Sequence, residues 1–249
     1  MRFFIQLSYN GKAYHGWQNQ PNAISVQEVL EKALSTLLKD DVAIMGAGRT
    51  DAGVHASQMF AHFDYDGAIE AKALVYKLNS FLPKDIAVRD IFKVKPEAHA
   101  RFDAVSRTYH YKISTHKNVF SCDFSYAVNS SLDVSKMNKA CKILLQYKDF
   151  QCFSKSNTDV KTYNCDIKEA KWVVKEGELL FIITADRFLR NMVRAIVGTM
   201  INIGNGKLKA EDLHKIIVSK DRGKAGFSVP AHGLYLVNIV YPETIKLDL

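Results

Sequence analysis

The sequence predicts an α+β protein made of two halves of similar order, and three observations carry that expectation. Stretches that alternate apolar and polar residues with a period of two are interleaved with stretches of helical period. Glycines, prolines and capping residues fall between them. The composition, 47% hydrophobic and 24% charged over 249 residues, is that of a globular chain with ample material for a core. Residues 1–100 form one expected half and 101–249 the other, with a boundary in the weakly periodic stretch from Lys95 to Asp103, which contains Pro96. No residue-level repeat accompanies the similarity of order.

Phe3, Ile5, Leu7 and Tyr9 alternate with Arg2, Phe4, Gln6 and Ser8, the pattern of a strand with one face on a core. After Asn10-Gly11, Ser25-Val26-Gln27-Glu28 reads as a capping box. Val26, Val29, Leu30, Ala33, Leu34, Leu37 and Leu38 then make one apolar stripe of a helix. Asp41 to Met45 is an expected short strand leading into a glycine-rich loop, and Ala56 to Phe63 alternates as a strand beyond it. Ala71, Leu74, Val75 and Leu78 give a second amphipathic helix, closed at Leu82-Pro83 because proline disfavours helical geometry in the residue before it. Ile86 to Val94 completes a β-α-β-β-α-β order, the ferredoxin-like succession of elements.

In the second half, Ser106 to Thr115 is an expected strand with Tyr109, Tyr111 and Ile113 on one face. Asp133 is placed to cap a helix whose apolar side is Val134, Met137, Cys141, Leu144 and Leu145. A hairpin pairs Ala170 to Val174 with Leu179 to Thr184 across Lys175-Glu176-Gly177. Asp186 is then read as the cap of a long helix ending at Gly204, with Leu189, Met192, Val193, Ile196, Val197, Met200 and Ile201 on its packed side. A helix around Leu213, Ile216 and Ile217 and a strand from Leu234 to Tyr241 finish the chain.

The net charge of +8 favours an anionic partner, because Lys and Arg gain by displacing counterions from a polyphosphate. No apolar run approaches the ~20 residues that span a bilayer, and the N-terminus turns polar too soon for a signal peptide, so no membrane partner and a cytoplasmic location are expected. Cys122, Cys141, Cys152 and Cys165 form no C-x-x-C pair and the eight histidines no ligating cluster. Neither a metal nor a cofactor is expected, and the cysteines read as reduced, mostly packing residues.

The most informative stretch is Gly46-Ala47-Gly48-Arg49-Thr50-Asp51-Ala52-Gly53-Val54-His55. Three glycines around one carboxylate and one guanidinium let a backbone approach a ligand closely and carry Asp51 toward it. A plain tight turn is the competing reading. A dinucleotide-binding loop is excluded, since a strand follows the glycines where a helix would be required.

Gly48-Arg49-Thr50-Asp51-Ala52-Gly53-Val54-His55 resembles the signature of the tRNA pseudouridine synthase A family, in which the aspartate is the catalytic residue. Phe188 to Gly198, with Arg190 and Arg194 inside it, resembles the family's second signature, whose last arginine pairs with that aspartate; the resemblance assigns this role to Arg194. Ala100-Arg101-Phe102-Asp103-Ala104 followed by Arg107-Thr108-Tyr109-His110-Tyr111 is similar to a third stretch, and places the active-site tyrosine at Tyr109, with Tyr111 left to packing. Tyr14 to Gln18, Ser25 to Gln27, Asn79 with Leu82-Pro83, and His232 to Leu236 extend the similarity over nearly the whole chain. Arg190 departs from it, standing where an aromatic or a histidine is more usual, and the loop from Lys155 to Asn164 matches poorly.

The resemblance implies the pseudouridine synthase fold, two ferredoxin-like halves whose mostly antiparallel sheets join into one extended sheet with a central cleft. It implies an isomerase acting on uridines at positions 38 to 40 of tRNA, on the 3′ side of the anticodon stem-loop, and a homodimer in which both subunits contact one tRNA. Asp51 would be the nucleophile at ribose C1′, or a base at C2′; the residues do not choose between these. Arg49 and Arg190 would contact substrate and Tyr109 would stack on the extruded base. A catalytically silent RNA-binding protein and a hydrolase of N-glycosidic bonds are the alternatives.

Overall fold

A computed structural model of the chain describes residues 1–156, 160–175 and 177–247; Glu176, expected between the hairpin strands, and part of the 155–164 stretch lie outside them. The elements run β1 (Arg2–Tyr9), α1 (Val26–Leu38), β2 (Met45–Gly46), β3 (His55–Asp64), α2 (Ala71–Phe81), β4 (Ile86–Lys93), β5 (Ser106–Ser114), β6 (Tyr126–Ala127), α3 (Val134–Leu144), β7 (Ile167–Lys175), β8 (Glu178–Ala185), α4 (Met192–Gly204), α5 (Asp212–Ser219) and β9 (Leu234–Val240). This is the expected α+β class, with mostly antiparallel pairing. Two compact units emerge, Met1–Val105 with Tyr235–Leu249, and Ser106–Leu234.

In the first unit β1 lies between β3 and β4, antiparallel to both, with Ile5 opposite Ala61 on one side and Ile91 on the other. β2 is shorter than the expected Asp41 to Met45 strand, only Met45 and Gly46 pairing, with His62 and Ala61. α1 starts where expected, the Ser25 hydroxyl accepting from the Glu28 amide at 3.1 Å. It buries Val26, Leu30, Ala33 and Leu34. α2 packs on α1 and along β4.

The first strand buries a residue on its second face as well, where Phe4 lies between the part-exposed Arg2 and Gln6. Phe4 is 0% exposed. It sits among Phe60, Phe92 and Tyr241, with the Tyr241 ring edge-on at 5.2 Å from each of Phe4 and Phe60. Tyr241 follows β9, whose first residues pair in parallel with His55 and Ala56 of β3. The last strand thus completes the sheet of the first unit.

Beside this aromatic patch lies His62, 8% exposed. Its Nδ1 accepts from the Ala100 amide at 3.1 Å, and its ring meets His99 at 4.6 Å. Burial, then His99 and Arg2, lower its pKa from 6.5 to about 4, while Asp64 and Asp103 pull the other way. A base whose folded pKa is depressed holds its stabilising contribution above the unfolded value. Between pH 6.5 and about 4 the unfolded chain takes up a proton that the native chain refuses, so stability falls through this window and levels off below it. Allowing for partial screening, the loss amounts to about 2 kcal/mol. Urea unfolding of wild type and His62→Asn, whose side-chain oxygen can stand in for Nδ1, should show a stability gap at pH 7.5 that narrows by about that amount at pH 4.5. A gap independent of pH would refute this account.

In the second unit β8 is flanked by β5 and β7, both antiparallel, with Tyr109 opposite Ile183 and Tyr111 opposite Phe181. α3 is capped by Asp133, which accepts from the Lys136 amide. Its apolar side, including Met137, Ala140 and Cys141, lies on α4.

α4 differs from the expected helix in two ways. It begins at Met192, because Asn191 takes a left-handed conformation (φ 67°) that breaks the helical run. Asp186 is not its cap: its Oδ1 accepts from the amides of Asp166 and Arg187, both at 2.7 Å, and so pins the loop to the start of β7. Eleven of its thirteen residues are buried, so this is a helix enclosed nearly all round rather than an amphipathic one. Arg187 and Arg190 consequently stand before the helix, and Arg194 in its first turn.

Candidate active site

The glycine-rich loop runs from β2 to β3 and is tied down by its backbone. The Ala47 amide donates to the Phe60 carbonyl (2.8 Å), the Trp17 amide to the Thr50 carbonyl (3.3 Å), the Gly53 amide to the Tyr14 carbonyl (3.2 Å) and the Val54 amide to the Asp51 carbonyl (3.2 Å). Gly53 takes φ +77°, which closes the turn directly after Asp51 and Ala52. A side chain at Gly48 would meet open space, so nothing in the packing demands glycine there. Arg49 is exposed, Thr50 buried and Asp51 half-buried. The loop therefore holds the Asp51 carboxylate, half-buried, on a fixed backbone.

The far end of the loop is locked by His55, 2% exposed. Its Nδ1 accepts from the Gly11 amide at 3.1 Å, and its ring stacks on Tyr235 at 4.7 Å with 21° between the planes. The segment Tyr14 to Gln18, whose residues resemble the family only weakly, has a clear purpose here. Through Tyr14 and Trp17 it supplies the amide and the carbonyl that anchor the loop. Tyr14 is itself fixed by its hydroxyl, which donates to Asp85 at 2.6 Å. Burial and that carboxylate both raise the phenol's pKa, so it stays protonated and remains a donor.

In the second unit, Tyr109 is half-buried on β5 and meets Phe188 edge-on at 5.1 Å. Arg190 is exposed, and its carbonyl accepts from the Lys155 amide at 3.0 Å, joining the start of the 155–164 loop to the segment before α4. Arg194 is half-buried in the first turn of α4, its Nε donating to the Val229 carbonyl at 2.7 Å. One residue on, the Pro230 carbonyl accepts from the Tyr111 hydroxyl at 2.8 Å. Burial raises the Tyr111 phenol's pKa, and the nearby Arg194 charge opposes that rise. Tyr111 thus does more than pack: it fixes the backbone on which the Arg194 guanidinium rests.

That backbone, Gly226 to Pro230, carried no signal of its own in the sequence. The Ser228 hydroxyl accepts from Asn191 Nδ2 (2.7 Å) and from Arg222 Nη2 (2.9 Å), and the Gly226 amide donates to the Thr199 hydroxyl (2.8 Å). The only hint was the pair Gly198 and Gly226, two small residues far apart in the chain that face each other across this contact.

Cys141, Cys152 and Cys165 are buried, which pushes each thiol up to about 12 and makes it inert. Cys122 is exposed and does not belong with the packing cysteines. Among the described residues no group of three or more His, Cys, Asp or Glu side chains is arranged to hold a metal ion, and no helix is long and apolar enough to cross a membrane.

Known proteins similar in sequence to this chain identify its family. A profile of the family described as tRNA pseudouridine synthase matches residues 6–103 and 140–242. A protein of Bacteroides thetaiotaomicron named tRNA pseudouridine synthase A is 55% identical over 247 residues, which cover 98% of this chain and 92% of that protein. Its namesake in Porphyromonas gingivalis is 52% identical over 250 residues, covering 99% of each chain. Another in Bacillus licheniformis is 39% identical over 245 residues, covering 97% of this chain and 99% of its own. Matches of this length leave neither unit unaccounted for, and the chain belongs to the tRNA pseudouridine synthase family.

Proposed function

We propose that the chain, as an isomerase of this family, converts uridine to pseudouridine in the anticodon stem-loop of tRNA, with Asp51 as its catalytic carboxylate. The observation that carries the reading is a half-buried Asp51 on a loop fixed by backbone hydrogen bonds on both sides, inside the stretch that resembles the family's catalytic signature.

The reaction breaks the bond from ribose C1′ to base N1 and makes one from C1′ to C5; the hydrogen leaves C5 and N1 gains one. Substrate and product are isomers, so no electron acceptor or group donor enters the balance. A carboxylate next to the ribose serves either as nucleophile at C1′ or as base at C2′, and must be ionised for both. In this reading the Arg194 guanidinium pairs with Asp51 and favours its charged form. Arg194 suits the task because its Nε is already committed to Val229, which limits how its remaining N–H groups can turn.

Tyr109 would stack on the extruded base, a contact of about 1 to 3 kcal/mol that helps offset unstacking and is indifferent to base identity. Arg49, exposed beside Asp51, would fill the gap left in the RNA or hold a phosphate, and exposed Arg190 would do the latter. The net charge of +8 suits recognition of RNA by shape and backbone. A homodimer acting on one tRNA, in the cytoplasm, completes the proposal.

The test is nucleoside analysis of unmodified tRNA incubated with the pure protein and no added cofactor. Pseudouridine on the 3′ side of the anticodon stem-loop, with no free uracil, is the expected product. Released uracil would make the protein a hydrolase, and unchanged tRNA that nonetheless binds would make it a silent RNA-binding protein.

A further inference from the structure

Backbone hydrogen bonds fix where the Thr50-Asp51 peptide lies, and most residue types at position 50 would make them. One contact there depends on side-chain identity. The Tyr9 and Thr50 hydroxyls are 2.9 Å apart in a buried hydrogen bond, with Tyr9 4% and Thr50 9% exposed. Tyr9 is the last residue of β1, in register with Ala56 of β3 and Ile86 of β4, so its backbone is flanked by strands on both sides. Trp17 packs against that ring at 6.2 Å. Packing alone would be served by phenylalanine, and a buried hydroxyl is costly unless bonded, so the hydroxyl pair needs a reason beyond core filling.

Threonine is β-branched and its χ1 has few accessible wells. A partner that bonds its Oγ1 in only one of them orients the Cα–Cβ frame at position 50, and through the shared peptide the direction in which the next side chain leaves the loop. We propose that the Tyr9–Thr50 hydroxyl pair is a positioning element, which aims the Asp51 carboxylate at the reacting nucleotide and acts on turnover rather than on tRNA binding. It rests on the reading of Asp51 as catalytic.

The experiment compares Tyr9→Phe, Thr50→Val, their double variant, Thr50→Ser and Asp51→Ala with wild type. It measures the single-turnover rate of pseudouridine formation on unmodified tRNA, the tRNA Kd and the thermal midpoint. Tyr147→Phe serves as control, since it removes another part-buried tyrosine bond, to His214 Nδ1 at 2.7 Å, in the other unit. A misaimed reacting group costs up to roughly a hundredfold, so Tyr9→Phe and Thr50→Val should each lose about ten- to a hundredfold in rate. The double variant should be no slower than the slower single one, because both remove the same bond. Kd should stay within about twofold, and Thr50→Ser, which keeps the hydroxyl, should recover most of the rate. Tyr147→Phe should lower the midpoint similarly while leaving the rate alone.

A wild-type rate in Tyr9→Phe overturns the proposal, as do losses that multiply in the double variant or that follow Kd. If Tyr9→Phe does not fold, equal rates for Thr50→Ser and Thr50→Val overturn it instead. A fully active Asp51→Ala sinks the catalytic reading and the proposal together. An inactive Asp51→Ala beside a fully active Tyr9→Phe sinks the proposal alone.

Discussion

Asp51→Ala is expected to lower the single-turnover rate of pseudouridine formation on the order of ten-thousandfold or more, while tRNA affinity holds or rises slightly. Loss of a group that forms or breaks bonds in the reaction has this scale in enzymes where it has been separated from binding, corresponding to about 5 kcal/mol of transition-state stabilisation. Affinity should behave oppositely, because under the proposed function the carboxylate meets a polyanion and its removal would relieve repulsion in a protein of net charge +8. The fold should tolerate the change. Asp51 is half-buried on a loop whose backbone is held through its amides and carbonyls, and alanine retains all of these. Asp51→Asn removes the charge at nearly constant shape and should be as inactive. Retention of even a tenth of the wild-type rate in either variant would exclude a covalent or general-base role for this residue.

The second large effect concerns stability. Gly198→Ala is expected to destabilise the second unit by about 3 kcal/mol or more, although alanine is the better helix former by up to about 1 kcal/mol. The clash decides the sign. A Cβ at position 198 would lie 2.9 Å from the Phe227 carbonyl carbon and closer still to its oxygen. The obstacle is backbone, so no rotamer change relieves it; the Gly226 to Pro230 segment must move off α4. Moving it would also stretch the bonds from the Gly226 amide to Thr199 and from Arg194 Nε to the Val229 carbonyl. A fall in thermal midpoint of several degrees, with turnover reduced well below the unfolding range, is the expected outcome. A midpoint equal to or above wild type would show that the segment yields easily and does not brace Arg194.

Much of this protein is legible locally. The Ser25 and Asp133 caps, the stop at Leu82-Pro83 and the β7–β8 hairpin each depend on residues within a few positions of one another, and each is present, the hairpin with Lys175 paired to Glu178 rather than in the turn. The loop around Asp51 was legible because glycine, arginine and aspartate at fixed spacing leave a dense mark in a short span. Misreadings arose where a residue has two compatible partners. Asp186 is as good a cap as any aspartate, but the Asp166 and Arg187 amides take its carboxylate, and Asn191 in a left-handed conformation sets the true helix start. Phe4 reads as the outer face of a one-sided strand until Phe60, Phe92 and Tyr241 close over it.

By itself, then, the sequence determined the succession of strands and helices, the place of the glycine-rich stretch around Asp51 and the kinship of the whole. Periodicity, capping chemistry and a compact signature act over short separations and survive in one dimension. Only the tertiary structure decided that β9 pairs with β3, that Tyr9 meets Thr50 and that Gly198 admits the Phe227 backbone. These contacts join residues tens to nearly two hundred positions apart. They are selected by shape and hydrogen-bond closure when the chain packs, and no local pattern encodes such a choice of neighbour.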